Sequence, residues 1–355
     1  MNNIVSRLIA AFRLDFLPVL ARTQDTSWDR NLNIGVKAYT QGNYAEAEKY
    51  YLSALKQAEK FGSQDPRLAT TLNNLANLYH AMGKFVEAER LFKQALAIDE
   101  KSLGAEHPNV ANNLNNLAEL YRSQGKIAQA EPLYMRALAI FEKALGPEDS
   151  YVAVTLNNIG LLNLDQGNYI KAESILQQSL VIFEKIRGPA DSELAKNLGN
   201  LGVSYKMQEK YTDAEPLYKR ALAIHERLLG PEHPCVAIGL NNLARLYLDQ
   251  GKYAEAEPLY ERALAIKEKA LRPNHPGIAT GLVGLAELYR NQNKSSKAEP
   301  LYKRALMILE RSLGPYHSNL ATTLEEYACL LRSMRRDAEA REMEMRARAI
   351  RARNN

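Results

Sequence analysis

Cysteine is almost absent from the 355 residues: Cys235 and Cys329 stand far apart and share no CxxC spacing. That excludes a disulfide framework and a structural zinc site, and it fits a reduced, cytoplasmic setting. Long apolar runs are missing too. No stretch of about 18 uncharged apolar residues occurs, so no transmembrane helix and no membrane insertion are expected. The opening residues are apolar but broken by Arg7, Arg13, Asp15 and Arg22. No small-residue cleavage site follows a clean apolar core, which argues against a secretory signal. Catalytic signatures are lacking as well: there is no Ser/His/Asp order, HExxH, P-loop, or GxGxxG before a helix. The expectation is a protein that is not an enzyme and needs no cofactor or metal.

A basic excess is present, but it is local. The formal charge is +5, and the stretch from Arg332 onward, with eight arginines against four acidic residues, carries +4 of it. A nucleic-acid binder carries its basic face along the body. Nucleic acid is therefore not the expected partner, and the tail reads as a charged, solvated last helix.

What fills the sequence is a repeat of 42 residues. Leu72-Asn73-Asn74-Leu75-Ala76 returns as Leu114-Asn115-Asn116-Leu117-Ala118, Leu156-Asn157-Asn158-Ile159-Gly160 and Leu240-Asn241-Asn242-Leu243-Ala244. Looser copies start at Leu198, Leu282 and Leu324. A period of this size marks a solenoid. Each row holds two helical stripes. Leu72, Leu75, Ala76 and Tyr79 fall at i, i+3, i+4 and i+7, and Phe85, Ala88, Phe92 and Ala95 form the second stripe. Gly83 and Gly104 close the two helices. His107-Pro108 opens the next row, with proline suited to a first turn, and Asp149-Ser150 or Asp191-Ser192 supply capping side chains elsewhere. Small residues such as Ala76, Ala118, Gly160 and Gly202 let helices approach, and Tyr134, Tyr218, Tyr260 and Tyr302 fill the space around them. Pro132, Pro216, Pro258 and Pro300 fall inside the second stripe, so that helix either starts later or bends there.

The pattern Leu-Ala-x-x-Tyr, then Gly, then Ala-aromatic-Ala resembles the tetratricopeptide repeat. The long row with Asn-Asn, Ala-Glu-Pro-Leu-Tyr and Gly-Pro-Glu-His-Pro is similar to kinesin light chains and their bacterial relatives. The fold implied is an all-α, right-handed superhelical solenoid of antiparallel helix pairs, about eight repeats over 27–353. Residues 1–26 form an amphipathic segment or cap built on Ile4, Leu8, Ala11 and Phe12, and 354–355 a short tail. Glu344, where other rows have Tyr or Phe, fits a terminal cap.

The resemblance implies a protein-binding scaffold that holds an extended peptide in a concave groove. In peptide-binding members the second asparagine of the pair contacts the ligand backbone, which carries over to Asn74, Asn116, Asn158, Asn200 and Asn242. An amide both donates and accepts, so it can read a backbone without demanding a side chain. Asn73, Asn115, Asn157 and Asn241 either join them or tie neighbouring repeats together. Two further groove slots vary between rows. Leu161, Leu164 and Val203 read as an exposed apolar spot for an aromatic or leucine anchor, and Arg122, Lys206 and Arg245 as a basic rim for acidic flanks. Val283-Gly284 and Glu325-Glu326 break the asparagine pair, which points the ligand to rows two to six. His107, His233, His275 and His317 share one phase about 10 Å apart, too far to share an ion, and read as helix starts. Two other functions remain open: a sensor module of a larger signalling assembly, and an RNA or membrane adaptor working through the arginine-rich tail. The sequence names neither the partner nor an oligomeric state.

Overall fold

The computed structural model describes residues 27–187 and 192–354. The amphipathic segment expected over 1–26 and the cap expected at Asp191 lie outside the described residues. Sixteen α-helices follow one another among those described, with no strand. In chain order they are α1 (Ser27–Thr40), α2 (Tyr44–Ala58), α3 (Pro66–Ala81), α4 (Phe85–Leu103), α5 (Pro108–Ser123), α6 (Ile127–Leu145), α7 (Ser150–Asp165) and α8 (Tyr169–Arg187). They continue as α9 (Ser192–Met207), α10 (Tyr211–Leu229), α11 (Pro234–Asp249), α12 (Tyr253–Ala270), α13 (Pro276–Asn291), α14 (Ser295–Leu313), α15 (Ser318–Ser333) and α16 (Asp337–Asn354). Odd-numbered helices are the first of each pair and even-numbered helices the second.

The helix boundaries follow local chemistry. His107, His233, His275 and His317 are all N-caps, each accepting through Nδ1 from a backbone N–H two residues on, at 3.0–3.2 Å. Asp149 does the same for Tyr151 at 2.8 Å. These side chains satisfy N–H groups that the helix itself leaves over. Between paired helices the chain turns through the left-handed region, with φ +76° at Gly83. Glu209, Asn293 and Arg335 occupy the same slot at φ 58–60° without being glycine, where an ordinary side chain is strained. The four internal prolines sit on the sixth residue of α6, α10, α12 and α14. Those helices therefore start before the proline, not after it.

Two compact units are built this way. In the first, comprising 27–166 and 174–186, Trp28, Leu32, Tyr51, Leu75, Phe92 and Tyr134 join one core. In the second, comprising 167–173 and the residues from 187 on, Tyr260, Leu282, Tyr302, Leu324 and Leu331 do so. The small residues are what let large ones in. A Cβ on Gly202 would come within 2.7 Å of the Tyr218 ring, and one on Gly160 within 2.6 Å of Leu176.

Between successive rows a second device recurs. Tyr121 donates to Glu89 at 2.9 Å while Lys126 lies over its ring, and Tyr247 with Glu215 and Lys252 repeats the arrangement, as do Tyr289, Glu257 and Lys294. In the row of α7 that tyrosine is Asn163, whose amide is spent on Ile159 O of its own helix. At the far end Glu344 is held by Arg332 at 2.9 Å. Arg336, Arg346 and Arg351 are likewise paired with Glu299, Glu310 and Glu325, so the basic tail is knitted into the last rows.

Candidate functional site

The first helices are far more enclosed than the second ones. Thirteen of the 16 residues of α7 are buried, against five of 19 in α6. The asparagine pairs lie on these enclosed helices. Asn73, Asn74, Asn115, Asn116, Asn157, Asn158, Asn200 and Asn242 are all buried, and Asn241 is half-buried.

A buried amide must find partners or remain costly. In the first unit several do. Asn73 donates through Nδ2 to Asn113 Oδ1. Its own Oδ1 accepts from Asn116 Nδ2 at 2.8 Å and from Asn77 Nδ2 at 3.3 Å. Asn113 in turn donates to Asp99 Oδ2 at 2.7 Å. Amides of α3 and α5 are thereby stitched across the row boundary. Other ends of the ladder are unmet: Nδ2 of Asn158 and of Asn242, and Oδ1 of Asn77, Asn115 and Asn241, have no hydrogen-bond partner.

The apolar spot differs from its expected form. Leu161 and Leu164 belong to the first unit and Val203 to the second, and all three are buried, not exposed. The reason is legible in α7 itself. Val152, Leu156, Ile159, Leu161, Leu162 and Leu164 spread apolar surface around the whole helix, and a helix apolar on every side is a buried one.

The basic rim is also not free. Arg122 binds Glu119 in a two-pronged contact at 2.7 Å and reaches Asp165 at 2.7 Å, while Tyr134 donates to Glu119 at 2.8 Å. Burial would raise the Glu119 carboxyl, but the Arg122 guanidinium outweighs it and holds the group below its ordinary range. At Asp165 burial wins over the same guanidinium, and the carboxyl is raised. In the second unit Lys206 pairs with Asp249 at 3.2 Å, and Arg245 spans Asp249 at 3.1 Å and Glu287 at 2.5 Å. Arg290 stands 3.8 Å from Glu287. Burial lowers the Lys206 ammonium against the pull of Asp249. Charges this enclosed are tolerable only when paired, which is why the acids accompany the bases. In the second unit Glu326 also acts on Arg245, so three acids accompany Lys206, Arg245 and Arg290.

Some polar residues escaped sequence reasoning. Asp99, His225 and Lys267 lie 42 residues apart or a multiple of it, in a column otherwise filled by Phe141, Phe183, Leu309 and Arg351. All three are buried. Burial pushes Asp99 up to about 6, His225 down to about 4 and Lys267 down to about 8. An ionisable residue in a phenylalanine column was the signal that could have found them.

Among the described residues no helix is long and apolar enough to cross a membrane, and no cluster of His, Cys, Asp and Glu could hold a metal ion. The sequence model of the tetratricopeptide repeat family matches residues 30–101, 67–143, 109–185, 151–225, 193–269, 240–311 and 277–353. Several solved structures are similar to the chain. BtubC from P. vanneervenii is 25% identical over 66% of this chain and 92% of that one, with a TM-score of 0.53. A putative kinesin light chain repeat protein from Podosopora anserina is 27% identical over 59% and 99%, TM-score 0.48. A Rap protein solved in complex with Competence and Sporulation Factor is 16% identical over 100% and 99%, TM-score 0.67.

Proposed function

The chain belongs to the tetratricopeptide repeat family, and from that membership we propose that it binds an extended segment of a partner protein along its first helices. The observation that carries this reading is the unmet half of the asparagine ladder. Asn158 and Asn242 are 1% and 2% exposed, and each keeps an Nδ2 without a partner. A buried amide donor with nothing to bond is unfavourable by roughly 1–3 kcal/mol. A ligand carbonyl placed there removes that penalty, and the backbone of an extended peptide supplies carbonyls at regular intervals. The structural relative solved with Competence and Sporulation Factor bound offers an analogy for ligand capture by such an array.

Selection of peptides from a displayed library against the full chain tests the reading. Asn158→Ala in the first unit, or Asn242→Ala in the second, is expected to weaken the peptide selected on that unit by about fivefold, roughly 1 kcal/mol. Unchanged affinity in both single variants sinks the proposal.

A further inference from the structure

The amides linked to Asp99 are not merely bonded to each other; they all point one way. Each NH2 group is directed toward Asp99 along the chain of contacts, and each carbonyl away from it. Asp99 Oδ2 accepts from Asn113 Nδ2, Asn113 Oδ1 accepts from Asn73 Nδ2, and Asn73 Oδ1 accepts from Nδ2 of Asn116 and of Asn77. A carboxylate has no proton to give, so the first amide can meet it only with its NH2, and that choice is passed on to every amide behind it. At the far end the atom left over is an acceptor, Asn77 Oδ1, which has no partner. The other ends of the ladder, at Asn158 and Asn242, lie outside this chain of bonds and leave over a donor.

We propose that Asp99 is a positioning residue that sets the polarity of the amide ladder: ionised, it makes rows two and three present hydrogen-bond acceptors, and protonated, it turns the chain over so that they present donors. On protonation the carboxyl oxygen gains a solvent proton and donates it to Asn113 Oδ1. Asn113 then offers Nδ2 to Asn73 Oδ1, and Asn73 offers Nδ2 to Oδ1 of Asn116 and Asn77. Every hydrogen bond of the chain is kept and each is reversed. The consequence for a ligand rests on the proposed peptide-binding function; the reversal itself does not.

The site favours such a change. Asp99 is 3% exposed and its Oδ1 has no partner, so the ionised form leaves a buried charge half-satisfied. Its column holds Phe141 and Phe183 in the following rows, so the acid takes a place that those rows give to an aromatic ring. The charged groups of the neighbouring helices are engaged elsewhere. On α3, Arg67 is on Asp65 and His80 on Ser123. On α5, Glu119 and Arg122 hold each other, Tyr121 is on Glu89, and the cap residue His107 accepts from Asn109. On α6, Arg136 reaches Glu100. Burial, opposed only by the Asn113 N–H, pushes the carboxyl up to about 6.

The test is a pH titration of the side-chain amide resonances in isotope-labelled, unliganded full-length chain. Asn73, Asn113 and Asn116 are expected to shift together on one sigmoid with a midpoint near that of Asp99, while Asn158 and Asn242 stay still. In Asp99→Asn, which keeps the shape, the sigmoid disappears. Asp99→Phe, the residue native to the next row, is the second variant should the first fold poorly, and it too is expected to abolish the titration. Amides that move independently or not at all, or a sigmoid that survives both substitutions, overturn the proposal. No partner is present in this experiment, so a failure here is distinct from a failure to bind peptide.

Discussion

The two units solve one problem, polar groups on enclosed first helices, by different means. The first unit uses amides anchored on Asp99 and a closed triad in which Glu119 and Asp165 share one guanidinium, that of Arg122. The second uses an open zigzag in which Lys206, Arg245 and Arg290 share Asp249 and Glu287. A closed arrangement concentrates its dependence on one residue; an open one spreads it.

That contrast is most sharply tested by truncating the two arginines. Arg122→Ala leaves the buried Glu119 carboxylate and the half-buried Asp165 carboxylate facing each other and is expected to lower the unfolding free energy by about 3–5 kcal/mol. Arg245→Ala leaves Asp249 with Lys206 and Glu287 with Arg290, in a less enclosed site, and about 1 kcal/mol is expected. Urea denaturation of both variants decides it, and equal losses would break the comparison.

A smaller effect separates two members of the Asp99 column. Asp99 is given an amide, Asn113, whereas Lys267 is given only space beside Gly281, where a Cβ would lie 3.8 Å from its Cδ. Lys267→Leu, the residue type found at Leu309, is expected to raise stability by about 1 kcal/mol. A loss on denaturation would show that the ammonium has a partner of its own.

A pH slope of opposite sign is expected in each unit. The folded Asp99 carboxyl is raised to about 6 from an unfolded value near 3.9. Its contribution is therefore full below about pH 4 and lost as pH rises through about 6. Folded His225 is lowered to about 4 from about 6.5, so its contribution is full above about pH 6.5 and lost as pH falls toward 4. His225→Phe is expected to remove the acid-side loss, and Asp99→Phe to steepen it, in denaturation midpoints collected from pH 4.5 to 7. Parallel slopes in the two variants would contradict the assignment.

Most of the fold was legible because its determinants are local. The stripes, the helix-closing glycines and the histidine caps act within a few residues, and the period reports them again in each row. The candidate site was legible in identity but not in environment. Leu161, Leu164 and the asparagines could be assigned to the first helices from spacing, yet spacing says nothing of how completely those helices are covered. The partners of Arg122 were also beyond it, since Asp165 lies one row on. Only packing shows that Arg122 and Asp165 share one enclosed contact.

The Asp99–Asn113 contact spans 14 residues and crosses the His107-Pro108 turn that separates two rows. Solenoids grow and shrink by duplicating and deleting rows, and a cut at that turn would part the acid from its amide. The heritable module of this chain is therefore not the helix pair that the eye picks out. It is the offset unit running from a second helix into the first helix of the next row, and recombination or design that respects that frame carries the buried polar chemistry along intact.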